Sequence, residues 1–150
     1  MRKAIDRSVE WLLVVMMALM VINVSWQVLS RFVVGSPSTF TEEAARYLMI
    51  WLGFIGGSYV AGKKGHPAIE LLALKFGETG KRRLALFIQL LISAFAVLAL
   101  IIGGSYLVFL TFALNQTSAA LQVPIGLVYL SIPLSGVLLL YYSLTALKQS

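Results

Sequence analysis

Four long apolar runs, divided by short polar stretches, organise the chain. They extend from Trp11 to Leu29, Tyr47 to Ala61, Leu84 to Leu114 and Pro124 to Leu147. A helix needs about 20 apolar residues to cross roughly 30 Å of hydrocarbon. The first and fourth runs reach that length. The second is short alone, and Ala44 and Ala45 extend it. The third exceeds it and is expected to tilt or project beyond the bilayer. Each run predicts a helix, because an open strand leaves its backbone groups unpaired in lipid. The pattern therefore predicts an all-α integral membrane protein with four transmembrane helices. No internal repeat or low-complexity linker interrupts it, so residues 1–150 read as one domain.

The polar stretches add a fifth element and an orientation. In "GHPAIELLALKFGETGKRR", Ile69, Leu72, Ala73 and Phe76 share a face, while Lys75, Lys81, Arg82 and Arg83 can reach water. That pattern predicts a short amphipathic helix lying in the membrane interface between the second and third spans. Basic residues collect on one side. Arg2, Lys3 and Arg7 precede the first run, Lys63, Lys64, Lys75, Lys81, Arg82 and Arg83 follow the second, and Lys148 follows the fourth. The opposite side carries Arg31 and Arg46. This bias predicts that both termini and the middle loop are cytoplasmic. Trp11 and the basic residues of the middle loop are the expected interfacial anchors. The basic opening "MRKAIDRS" is interrupted by Asp6 and followed by Glu10, and no small-residue cleavage site succeeds the run. The first run is therefore expected to stay as a span rather than be cleaved as a signal.

Composition agrees with this reading. The chain is 59% hydrophobic with mean hydropathy +0.90, and 12% of its residues are charged. That charged share is about half the soluble average. A soluble domain of this size could not bury so much apolar surface. The net charge of +6 sits between apolar runs. It suits anionic lipid headgroups better than nucleic acid, and no nucleic-acid partner is expected. Without cysteine, disulfides and thiolate metal sites are excluded.

Inside the spans the chemistry is sparse. Asn23, Gln27 and Ser30 fall at helical spacing in the first. They read as interhelical hydrogen-bonding groups, with a polar substrate path as the competing reading. Gly53, Gly57 and Ala61 step by four residues along the second and read as a helix-packing face. Gln89 and Ser93 lie one turn apart in the third, and Gly103, Gly104 and Ser105 thin it. Pro124 suits the first turn of the fourth span, and Pro133 should bend it. No Asp, Glu, Lys or Arg lies inside the four runs. A carrier coupled to ions and working alone usually needs such a group or a broken helix.

The remaining chemistry gathers at "TFTEEAARYLMIWLGFIGGSYVAGKKGH". Thr39 and Glu42 match a capping box, both Glu42 and Glu43 favour a helix N-terminus, and Glu42 stands one turn from Arg46. Capping explains this spacing, and contact with a partner is the alternative. Paired catalytic carboxylates would need an enclosed pocket that separates their pKa values. His66 and Glu70 are four apart, too few ligands for a metal site. "GETGK" is too short for a phosphate loop. No catalytic, substrate-binding or metal-ligating residue is expected, nor any cofactor, and the chain does not read as an enzyme.

The chain resembles the small membrane subunit of tripartite ATP-independent periplasmic (TRAP) transporters. The resemblance is carried by Ser30-Arg31-Phe32, "TEEAARYLMIWLGFIGG", "GHPAIELL" with His66 and Glu70, and "VPIGLVYLSIPLSG" with Pro124 and Pro133. Many relatives have aspartate where Glu70 stands. The resemblance implies two protein partners in a bacterial inner membrane system. A periplasmic binding protein captures an organic acid, such as sialic acid, a C4-dicarboxylate or a sugar acid. A large multispanning subunit binds substrate and sodium and moves as an elevator. The small subunit is implied to be its fixed scaffold. The chain has its own start and ends soon after its fourth run, so separate rather than fused subunits are expected. A small multidrug-type exporter, also of four spans, is the alternative. It expects a carboxylate within the first helix, whereas Glu10 lies at the edge of the run.

Overall fold

The computed structural model describes residues 2–35, 38–63 and 78–147. The expected interfacial helix, with Lys64, His66, Glu70 and Lys75, lies outside the described residues. So do the side chains of Lys63, Lys81 and Arg82.

The regular elements among the described residues are all helices. Helix α1 covers Arg2–Leu29 and closes in a π-helical turn, Ser30–Val34, with Gly35 in the left-handed region at φ 73°. It starts well before the apolar run, so Asp6 and Glu10 ride on the helix rather than in a leading tail. Its 28 residues make roughly 42 Å of helix, longer than the hydrocarbon layer. Helix α2 covers Thr39–Lys63 and α3 covers Glu78–Phe95. The latter continues through a π-helical segment, Ala96–Gly103, into α4, Gly104–Ala113. A short α5, Ile125–Tyr129, leads into α6, Ser131–Leu147.

Among the described residues, three stretches are long and apolar enough to cross a membrane: Lys3–Val33, Arg83–Ala113 and Ile125–Thr145. Helix α2 has the length at 25 residues. Its glycines, Tyr47, Trp51, Tyr59 and the charged first turns dilute its apolar character. The fourth run is interrupted at Leu130, one turn before Pro133. Pro133 itself falls in the first turn of α6, where a missing N–H is tolerated. The irregularity thus precedes the proline.

The helices pack in the order α1, α2, α6, then α3 with its π segment; α4 packs on α5. Helix α6 is central, with 39% of its span buried against 6% for each of the other two spans. Among the described residues the buried apolar ones are few: Met16, Ile55, Ala96, Val128 and Tyr142. Buried hydroxyls accompany them at Ser58, Thr111, Ser131, Ser135 and Ser143. Most close onto their own helix, as Thr111 does on Leu107 O and Ser135 on Ile132 O. Small side chains let helices approach closely where lipid offers no hydrophobic drive for association. Large apolar side chains instead face outward along α1 and α3.

The close approaches fall at glycines. A Cβ on Gly136 would stand 2.7 Å from Leu100 Cβ, where α6 meets the π segment. One on Gly104 would stand 2.8 Å from Ile132. Gly62 similarly abuts the Tyr142 ring. The expected packing stripe behaves differently. Gly53 and Gly57 are exposed, and an added Cβ would meet nothing within 4 Å at either; Ala61 is half-buried. Four-residue spacing marked a face of α2, but the face that contacts α6 holds Ser58 and Gly62 instead.

Candidate functional site

The described polar groups concentrate at the two ends of the row. At one end α1 finishes, α2 begins, and residues 114–124 connect α4 to α5. Helix α2 is capped by Ser38 rather than by Thr39. The Thr41 N–H donates to Ser38 Oγ at 3.4 Å, and Thr41 Oγ1 donates to Ser38 O at 2.9 Å. Starting one residue earlier than expected buries Thr41 and exposes Thr39. Asn23 ties α1 to this turn, donating from Nδ2 to Thr41 O at 2.7 Å. Gln27 is half-buried, and its carbonyl accepts from Ser30 Oγ at 2.9 Å.

The adjacent carboxylates have different partners. Glu42 lies 3.6 Å from Arg46, and their side chains are 59% and 63% exposed. Such a pair contributes about 0.3–0.5 kcal/mol at most. Glu43 reaches across to the connecting loop. Its carboxylate accepts backbone N–H bonds from Ala119 at 3.2 Å, Ala120 at 2.9 Å and Leu121 at 2.7 Å. It also accepts from Tyr47 Oη at 2.9 Å. Three successive N–H groups converging on one anion form a nest.

The loop is shaped for this. Thr117 and Pro124 bridge, and Ser118 N–H donates to Val123 O at 2.9 Å. Asn115 and Gln122 take left-handed φ values of 50° and 54°. Asparagine tolerates that region readily. Gln122 is held there while its side-chain amide donates to Ala119 O at 3.0 Å. Desolvation pushes the Glu43 carboxyl upward, but the Leu121 N–H, the Tyr47 hydroxyl, the Ala120 N–H and Ser118 outweigh it. Its pKa is lowered on balance, because every one of those donors favours the charged form.

At the other end, two carboxylates of α1 meet tyrosines. Tyr142 Oη donates to Asp6 Oδ1 at 2.7 Å, and Tyr59 donates to Glu10. The two rings stand edge to face, 6.4 Å apart. Beside them, one residue along α6 from Tyr142, lies a hydroxyl and amide cluster. Gln89 donates to Ser143 Oγ at 2.5 Å, and Ser93 Oγ lies 2.6 Å from the same oxygen. Among the described residues, no group of three or more His, Asp or Glu could hold a metal. Of the other residues singled out, Arg31 is exposed in the π turn, Trp11 is exposed on α1, and Arg83 is exposed on α3. Pro124 stands at the N-cap of α5.

The family described as tripartite ATP-independent periplasmic transporters, DctQ component, matches residues 20–150. The chain belongs to this DctQ family. It is therefore a small membrane subunit of a TRAP transporter, a component of transport machinery. A Haemophilus influenzae protein, provisionally named a TRAP transporter small permease protein, is 31% identical over 134 residues, 89% of this chain and 81% of its own. The sialic acid TRAP transporter small permease protein SiaQ of Vibrio cholerae is 29% identical over 106 residues. That match covers 71% of this chain and 60% of the Vibrio protein. The exporter alternative finds no support here. As DctQ components, TRAP small subunits work with a large membrane subunit and a substrate-binding protein.

Proposed function

We propose that this single-domain chain is the fixed scaffold of a sodium-driven TRAP transporter in a bacterial inner membrane. It crosses four times with both termini and the middle loop cytoplasmic, α2 being the remaining span. It stands beside a large elevator-type subunit that binds sodium and substrate, and a periplasmic protein delivers an organic acid. Sialic acid heads the substrate classes, on the strength of the Vibrio relative's name; C4-dicarboxylates and sugar acids follow.

The observation that carries this reading is where the acids lie. None falls within the four apolar runs. Asp6 and Glu10 accept from tyrosines at one end, and Glu43 is held by a loop nest at the other. A coupling carboxylate must release and rebind its ion during the cycle. These three are instead engaged by fixed donors.

Uptake into proteoliposomes holding the complete complex tests the reading. Glu43→Gln should keep the sodium dependence of uptake even where its rate falls. A shifted sodium dependence with intact assembly would make Glu43 part of the transport machinery. Topology is read separately with impermeant thiol reagents. Ser38→Cys and Thr117→Cys should react from the periplasm, and Lys75→Cys should not.

A further inference from the structure

Helix α2 turns one continuous stripe away from the rest of the chain. Thr39, Glu42, Arg46, Met49, Gly53 and Gly57 recur at three- and four-residue steps, and all are exposed. Two hollows open along it. Near the start of α2, a hollow of about 200 Å³ is lined by Thr39, Glu42, Glu43 and Arg46 with Ala119 and Ala120. One turn further on, a hollow of about 340 Å³ is lined by Met49, Ile50, Gly53 and Phe54. The first offers an acid and a base, and the second offers carbon.

We propose that this stripe is a binding site for one zwitterionic phospholipid, of the phosphatidylethanolamine type. Arg46 takes the phosphate, Glu42 takes the ammonium, and an acyl chain lies over Met49 and the notches at Gly53 and Gly57. Three observations converge on that occupant. The Glu42–Arg46 pair is loose at 3.6 Å and largely exposed, so each partner keeps bonding capacity for a complementary dipole. The order of the stripe, charged and then apolar, is the order of a lipid entering from the interface. The length also fits. From Arg46 to Gly57 the helix rises about 16 Å, close to the half-thickness of the hydrocarbon layer. An added Cβ at Gly53 or Gly57 meets no other group of this chain within 4 Å, so the notches are open to a ligand.

The inference rests on α2 crossing the membrane, as proposed above, and the test separates the two. In liposomes Ser38→Cys should label readily with an aqueous maleimide while Met49→Cys is protected. Equal labelling would refute the span itself, whatever lipid is bound. Lipid binding is then read on the full chain in detergent by native mass spectrometry, titrating palmitoyl-oleoyl phosphatidylethanolamine against palmitoyl-oleoyl phosphatidylglycerol. One phosphatidylethanolamine should bind ahead of the rest. Arg46→Gln, at an exposed position, should weaken it about tenfold. Gly53→Leu fills the notch without meeting the rest of the chain and should abolish it. Glu42→Gln should erase the preference over phosphatidylglycerol. Unchanged binding in Arg46→Gln and Gly53→Leu would overturn the proposal. So would a Gly53→Leu chain that keeps its lipid but no longer captures the large subunit, because the stripe would then hold a protein helix.

Discussion

Gly136 and Gly57 are both glycines inside helices, and alanine should move their stabilities in opposite directions. At Gly136 the new methyl would lie 2.7 Å from Leu100 Cβ, 2.9 Å from Ile101 Cγ1 and 3.2 Å from Ala96 O. To restore ordinary contact, α6 and the π segment must part by roughly 0.7 Å. Overpacking of this kind costs about 1–3 kcal/mol. Against it stands the gain of about 1 kcal/mol from replacing a helical glycine by alanine. Gly136→Ala should therefore destabilise by about 0–2 kcal/mol. At Gly57 nothing lies within 4 Å, so only the helical gain operates. Gly57→Ala should stabilise by about 0.5–1 kcal/mol. The difference between the variants is the firmer quantity, because the propensity contribution cancels and about 1–3 kcal/mol of overpacking remains. Thermal unfolding of the isolated chain in one detergent measures it, at about 2–4 °C per kcal/mol. Gly136→Val should fall further still. Equal melting of Gly136→Ala and Gly57→Ala would refute the crossing of α6 against Ala96–Gly103.

Other perturbations address the two ends. Glu43 has a lowered pKa in the fold, so its contribution is present above the unfolded pKa and is lost as pH falls through the folded one. A nitroxide on Thr117→Cys should therefore stay immobile at neutral pH and gain mobility only below the ordinary carboxylate range. In Glu43→Gln it should be mobile at neutral pH as well. Tyr142→Phe removes the donor to Asp6 and should cost about 1–3 kcal/mol, read by the same thermal assay. Ser143→Ala disconnects Gln89 and Ser93 from α6 and should cost about 0.6 kcal/mol per bond.

The long apolar elements were legible because they rest on a property of single residues summed over a window. Asn23 was legible as an interhelical donor, and it does bridge α1 and α2. The carboxylate pair was legible in position but not in partner. Glu43 binds backbone N–H groups 76 to 78 residues away. Backbone donors carry no residue-type signature, so no motif could announce them. Asn115, prone to left-handed φ in a short polar connection, was the one local hint. The cap moved from Thr39 to Ser38 because both residues can cap; Thr41 bonds to Ser38, and Asn23 of α1 holds the Thr41 carbonyl. The glycine stripe shows a further limit. Spacing states which residues share a face, but not what covers that face. In this chain Gly53 and Gly57 look outward while Gly62, Gly104 and Gly136 form the crossings.

The distribution of bonds also bears on which part of such a machine can move. Among the described residues, few side-chain bonds cross between the central helices: Ser58 donates to Ser135 O, and Gln89 and Ser93 meet Ser143. Close glycine contacts then set their spacing, and a slide would force side chains over one another. At both ends, bonds tie elements that are distant in sequence: Asp6 to Tyr142, Glu10 to Tyr59, and Glu43 to residues 119–121. Sliding α1 or α2 by one turn, about 5.4 Å, would break the anchoring bonds at its ends together. A row pinned at both ends and notched in the middle resists the displacement that an elevator requires. Such a row suits the stationary role proposed for this chain above.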